Sequence, residues 1–264
     1  MQMKTTPWLV RLSGLPYASV RLFAFPFSGG SAGAYATWGQ WLPAEAELYG
    51  IQLPGRGMRM AEPLIGDLAT VATQLLPALL PMLDRPYVLY GHSNGALMAF
   101  FMLNRLLHAG ARPPEAIILS AKPAPGRDRT RAPMSQLPEA QFLEKLRSLD
   151  GTPPELLADP EIMRLFAPAI RADFALGENH VAESLHPHIR QIPALILAGE
   201  QDDMAVADVF AWREMFDQAQ CLSMPGKHFF INSNPQFPLA FRRYCKAVGG
   251  PLGGVFGAVA DAVA

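Results

Sequence analysis

Hydrophobic positions along this chain fall into two alternating patterns. Short runs rich in Val, Ile, Leu, Phe and Tyr recur at residues 20–25, 47–53, 87–90, 116–120, 193–199 and 220–224. Their near-continuous apolar character suits parallel strands covered on both faces. Longer stretches between them carry apolar residues at helical spacing. In residues 67–83, Leu68, Val71, Ala72, Leu75, Leu76, Leu79 and Leu80 mark one face, and Pro77 and Pro81 are expected to kink or shorten that helix. Residues 96–107 form a second helix-favouring segment that stops at Gly110, and shorter helices are expected through Trp38 and Trp41, through Trp212 and Phe216, and over residues 235–248. Strands alternating with helices imply βαβ units, an α/β protein with a mostly parallel central sheet flanked by helices.

The rhythm breaks over residues 121–190, where Pro-rich and charged stretches surround helical patterns at 139–149 and 160–174. Its position after a strand reads as an inserted helical lid above the carboxyl edge of the sheet. Residues 249–264, rich in Gly and Ala, read as a mobile tail. With 264 residues, half of them hydrophobic, the chain can bury one large core, so the expectation is a single domain over 1–248 with the lid inserted.

Charge narrows the partners. A net charge of -1 and 17% charged residues leave no electrostatic footprint for nucleic acid or an anionic membrane. No apolar stretch approaches the roughly 18 residues of a membrane span, and residues 1–14 lack the apolar core of a signal peptide. Cys221 and Cys245 give neither a disulfide framework nor metal-ligand spacing, which favours reduced thiols in a cytoplasmic protein.

The chemistry centres on Gly91-His92-Ser93-Asn94-Gly95 between a strand and a helix. A serine at such a turn projects its hydroxyl beyond the sheet, and the flanking glycines permit strand and helix to cross closely. Serine is a poor nucleophile unless an imidazole takes its proton and a carboxylate holds that imidazole in the right tautomer. Asp202 and His228 follow the next two strands, so strand ends can bring Ser93, Asp202 and His228 to one crevice. The order serine, acid, histidine is that of the α/β-hydrolase scaffold. Asp203 and Asp208 compete for the role of acid. The backbone N-H groups of Asn94 and of Ser28, in the loop Pro26-Phe27-Ser28-Gly29-Gly30, are the candidate oxyanion donors.

Each residue also has an ordinary role open to it: Ser93 as a turn residue, Asp202 as a helix cap, His228 as a core histidine. Their joint placement favours catalysis. His92 reads as support for the turn, and Arg56 as a brace for a loop by hydrogen bonds rather than a lining of the site entrance. His180, His186 and His188 read as surface or pocket histidines, and Arg127, Arg129 and Arg131 as a solvated run, with contact to a phosphate or an acidic partner as the sharper alternative.

Phe25-Pro26-Phe27-Ser28-Gly29-Gly30-Ser31-Ala32, Gln52-Leu53-Pro54-Gly55-Arg56-Gly57, the Ser93 turn, Gly199-Glu200-Gln201-Asp202 and Pro225-Gly226-Lys227-His228-Phe229-Phe230 together resemble the type II thioesterases, stand-alone editing enzymes of polyketide and nonribosomal peptide synthesis. The resemblance covers about residues 20–248. It implies an α/β-hydrolase fold with a mobile lid, and hydrolysis of acyl groups from the phosphopantetheine arm of acyl or peptidyl carrier proteins without a cofactor or metal of its own. It also implies Ser93 as nucleophile, Asp202 as acid and His228 as base. The enzyme is expected to act as a monomer. Asn94 and Asp203 depart from the pattern, which commonly has an apolar residue and a proline there. A medium-chain acyl thioesterase or esterase of the same fold is the nearest alternative, and a non-catalytic carrier-binding protein a more distant one.

Overall fold

A computed structural model describes residues 6–127, 133–149, 158–180 and 183–258. Seven strands form one sheet in the order β1-β3-β2-β4-β5-β6-β7. They are β1 (Leu9–Ser13), β2 (Val20–Phe25), β3 (Ala46–Ile51), β4 (Tyr87–His92), β5 (Ala116–Ser120), β6 (Ala194–Gly199) and β7 (Ala219–Met224). Only β1 runs antiparallel, pairing with β3, while every other pair is parallel.

The period-2 geometry of the strands divides the core in two. Phe23, Phe25, Leu89, Ile117, Leu119 and Ile196 face α1 (Leu68–Leu79) and α2 (Asn94–His108). Leu22, Ala24, Val88, Tyr90, Ile118, Leu195 and Leu197 face the other side, against the 3-10 segment Ala32–Gln40 and α7 (Phe237–Val248). There Trp38 lies 4.7 Å from Tyr90 and 5.3 Å from Phe237, ring to ring. Pro77 sits inside α1, which gives way to a 3-10 turn at Leu80–Met82.

Between β5 and β6 the chain leaves the sheet to form α3 (Glu139–Ser148) and α4 (Pro160–Glu178). These enclose a small core of their own, Met134, Phe142, Leu146, Met163 and Ile170. Asp159 caps α4 by accepting from the Glu161 and Ile162 amides. The helix runs one turn beyond the patterned stretch, and its Glu178 carboxylate accepts from the Met134 and Ser135 amides at 2.6 and 3.0 Å. Asn104 of α2 fastens the returning chain, donating to the Ser184 carbonyl and accepting from the His186 amide.

After β6 come α5 (Val206–Phe210), the 3-10 turn Ala211–Met215, β7 and α6 (Phe230–Ser233). Over Gly250–Gly257 the chain departs from the expected mobile tail, and residues 259–264 lie outside the described residues. Gly250–Gly257 is a helix, α8, with Leu252, Val255 and Phe256 buried against the α7 side of the sheet. Four glycines in eight residues argue against a helix by local propensity. Three buried apolar side chains override them, each contributing about 1.5–3 kcal/mol on burial.

Both cysteines are free. Among the described residues no helix is long and apolar enough to cross a membrane.

Candidate active site

The end of β4 turns into α2 through Ser93, whose φ of 55° and ψ of -128° are a conformation that L-residues rarely adopt. Such strain persists only where the surroundings impose it. The Ser93 amide donates to the Ser120 carbonyl at the end of β5 at 2.8 Å, and its carbonyl accepts from Ala96. A β-carbon on Gly91 would stand 2.0 Å from the Gly95 carbonyl oxygen, and one on Gly95 would stand 2.2 Å from that of Phe25. The turn therefore closes only with hydrogen at both positions.

His92 lies beneath this turn, fully buried. Its Nδ1 pairs with Ser120 Oγ at 3.0 Å, and its ring lies 5.1 Å from that of His228. Burial, with the neighbouring His228 adding to it, holds the His92 imidazole well below its ordinary pKa, so it supports the turn as a neutral ring.

The loops after β6 and β7 are laced together. The Gln201 amide donates to the Gly226 carbonyl and the Gly226 amide to Gln201 Oε1. This brings Asp202 Oδ2 to 2.8 Å from His228 Nδ1, while Oδ1 accepts from the Met204 amide at 3.2 Å. The Asp202 side chain is 4% exposed and that of His228 is 17% exposed, so the carboxylate is sheltered and the imidazole open to the cavity. Asp202 rather than Asp203 thus holds the histidine. Asp208 lies in α5 and is not among the residues lining the cavity.

Ser93, Asp202 and His228 line one cavity of about 790 Å³, together with Ser28 and Asn94. The α3 and α4 region lines it with Met134, Leu137, Leu146, Leu149, Ile170 and Phe174, and also with Lys145 and Glu178. Among the described residues no hydrogen bond joins Ser93 to His228; catalytic contacts of this kind often tighten only on substrate binding.

In the loop after β2, the Gly30 amide donates to the Phe27 carbonyl and the Gly29 amide to Asp173 Oδ2 at 2.7 Å. Among the described residues neither the Ser28 nor the Asn94 amide donates to a protein acceptor. Arg56 is buried and braces this loop, as its sequence context suggested. Its guanidinium forks onto Asp173 at 2.5 and 2.7 Å and reaches the Gly30 carbonyl.

Sequence reasoning missed Asp173. Its one signal is an acidic residue in step with Ile170 and Leu176 on the inward face of α4. Burial pushes its carboxyl upward, opposed by Arg56 and the Gly29 amide. Asn94 adds a second tie, its Nδ2 donating to Ser28 Oγ at 2.8 Å and to the Asp173 carbonyl at 2.7 Å.

The remaining candidates fall elsewhere. His186 stacks at 5.0 Å with both His108 and His188, and His180 packs against Phe101; none of them lines the cavity. Arg127 pairs with Glu214, while Arg129 and Arg131 lie outside the described residues. Among the described residues no cluster of His, Cys, Asp or Glu is arranged to hold a metal.

The family model described as thioesterase domain matches residues 20–245. Gramicidin S biosynthesis protein GrsT of Aneurinibacillus migulanus is 32% identical over 226 residues, spanning 85% of this chain and 88% of that protein. A Brevibacillus parabrevis protein named linear gramicidin dehydrogenase LgrE is 36% identical over 238 residues, spanning 88% and 90%. The structure of BorB, the type II thioesterase of the borrelidin biosynthetic cluster, superposes with a TM-score of 0.81 at 31% identity, covering 92% of this chain and 99% of the other. With that family model spanning most of the chain and relatives more than 30% identical along nearly its whole length, the chain belongs to the thioesterase family: it is a type II thioesterase of the α/β-hydrolase fold that hydrolyses acyl thioesters.

Proposed function

We propose that Ser93 is the nucleophile, His228 the base and Asp202 the acid, acting on acyl groups carried by the phosphopantetheine arm of acyl or peptidyl carrier proteins. The observation that carries this reading is the 2.8 Å bond from His228 Nδ1 to Asp202 in a cavity shared with the strained Ser93. The bond fixes the proton on Nδ1 and leaves Nε2 to accept the Ser93 proton. The serine oxygen adds to the thioester carbonyl, and the Ser28 and Asn94 amides hold the oxyanion, each worth about 3 kcal/mol. Collapse of the adduct breaks the C-S bond, and His228 returns the proton to the leaving thiolate. Water, activated by the same imidazole, then adds to the acyl-serine and releases the free acid. Every proton is handled by the chain's own residues, so the reaction needs no cofactor.

The carrier partner is supported by relatives named for gramicidin S, anguibactin and yersiniabactin biosynthesis. Two free thiols suit a cytoplasmic enzyme, and the site lies within one chain, as a monomer requires.

Intact-mass analysis of a panel of acylated carrier proteins, before and after exposure to the enzyme, tests this reading. We expect loss of the acyl mass with the pantetheine thiol restored. We also expect Ser93→Ala to reduce turnover by roughly 10⁴-fold or more. Undiminished turnover by Ser93→Ala, or a clear preference for oxygen esters, would overturn the assignment.

A further inference from the structure

Three hydrogen-bonded ties run from helix α4 to the catalytic machinery and meet at one residue. The Asp173 carboxylate accepts the Gly29 amide at 2.7 Å, and it also holds Arg56, whose guanidinium reaches the Gly30 carbonyl. The Asp173 carbonyl accepts Asn94 Nδ2, and the same amide nitrogen holds Ser28 Oγ. Asn94 directly follows the nucleophile. Its place against α4 exists because residue 177 is glycine: a β-carbon there would stand 2.8 Å from Asn94 Oδ1. At φ 78°, Gly29 holds a conformation available chiefly to glycine. So permissive a residue needs an outside acceptor to fix the direction of its amide, and Asp173 supplies it.

We propose that Asp173 is a positioning residue of the oxyanion loop, and that Asn94 couples the same helix to the nucleophile turn, so that the Ser28 amide is aimed at the substrate only while α4 is seated. The covering helix is thereby part of the catalytic geometry rather than only a wall of the acyl cavity. Seating of α4 and competence of the oxyanion hole form one two-state element, biased by whatever fills the cavity. The proposal rests on the hydrolytic reading of Ser93.

A simple ion pair and a positioning pair respond differently to replacement. A buried Arg-Asp pair can be exchanged for apolar residues of similar size without loss of stability, whereas removing one partner alone is damaging. We therefore compare Asp173→Asn, the double variant Arg56→Leu with Asp173→Leu, and Asn94→Leu, using a soluble acyl thioester and hydrogen exchange of residues 25–34 and of α4. We expect Asp173→Asn to lower kcat by roughly 10²-fold, the scale of one misplaced oxyanion donor, with KM changed less than about threefold and faster exchange at Gly29. The double variant should recover thermal stability and leave kcat low, because the Gly29 amide still lacks its acceptor. This arm decides the matter even where Asp173→Asn folds poorly. Asn94→Leu keeps the ion pair whole and should speed exchange in α4 and in the loop together.

Recovery of kcat along with stability in the double variant would reduce Asp173 to a structural ion pair and overturn the proposal. So would exchange that rises in α4 while residues 27–30 stay protected. Failure of the underlying hydrolytic reading shows separately, as a Ser93→Ala enzyme that still turns over.

Discussion

His92 is the residue whose environment has the plainest measurable consequence. It is buried, its Nδ1 faces Ser120 Oγ, and the groups packed on it are the rings of Phe27, His228, Phe229 and Phe230, with no carboxylate among them. Its folded pKa is depressed by burial and by His228, while the unfolded chain titrates near the ordinary histidine value. The stability tied to its neutral form is thus fully present above about pH 6.5 and lost as the pH falls below that, at about 1.4 kcal/mol per pH unit. Chemical denaturation at pH 7 and pH 5.5 should show this slope, and His92→Gln should remove about one proton's worth of it. An unchanged slope in the variant would show that His92 is charged in the folded protein.

At the scale of elements, the C-terminal helix offers the sharpest test. Leu252 on α8 is fully buried, so Leu252→Ala should lower unfolding free energy by about 2–5 kcal/mol, read from the denaturant midpoint, with kcat on a soluble thioester unchanged. The same helix marks where the sequence is hard to read. Strands β2 to β6 are legible because runs covered on both faces are mostly apolar, and the Ser93 turn because its glycines face backbone at 2.0 and 2.2 Å. Helix α8 is not legible: Leu252, Val255 and Phe256 are spread among glycines, and only tertiary burial makes them a face. Strand β1, with its residues half exposed along the sheet edge, lacks the continuous apolar signature. Asp202 and His228 are legible from strand-end position and order. Asp173 is not, because its partners Gly29 and Arg56 lie 144 and 117 residues away, and a lone acid in an amphipathic helix reads as surface. The identity of the acid, open between neighbouring aspartates in sequence, is a matter of which carboxylate faces the imidazole.

At the scale of the whole molecule, the cavity lies in the seam between the sheet and the α3 and α4 region, so acyl length is set by residues remote from the triad. Leu149 is on that wall. Leu149→Trp should shorten the cavity and penalise long acyl chains, each methylene denied burial costing about 0.8 kcal/mol or about fourfold in kcat/KM. Short-chain thioesters should be unaffected. A series of acyl thioesters of increasing length checks this, and equal losses at all lengths would show that the wall does not measure the chain.

The packing of the four tryptophans gives the molecule an unplanned optical property. Trp38 and Trp41 are committed to the aromatic cluster with Phe237 and Phe241, Trp8 lies under Arg59, and Trp212 donates to the Lys122 carbonyl at the root of the α3 and α4 region. None of them lines the acyl cavity. Intrinsic fluorescence will therefore register unfolding of the sheet while remaining nearly silent to events over the active site. An indole placed at Leu149 would be the sole emitter on the cavity wall. Its spectral shift against that constant background could follow α4 and substrate entry in real time, with no added dye.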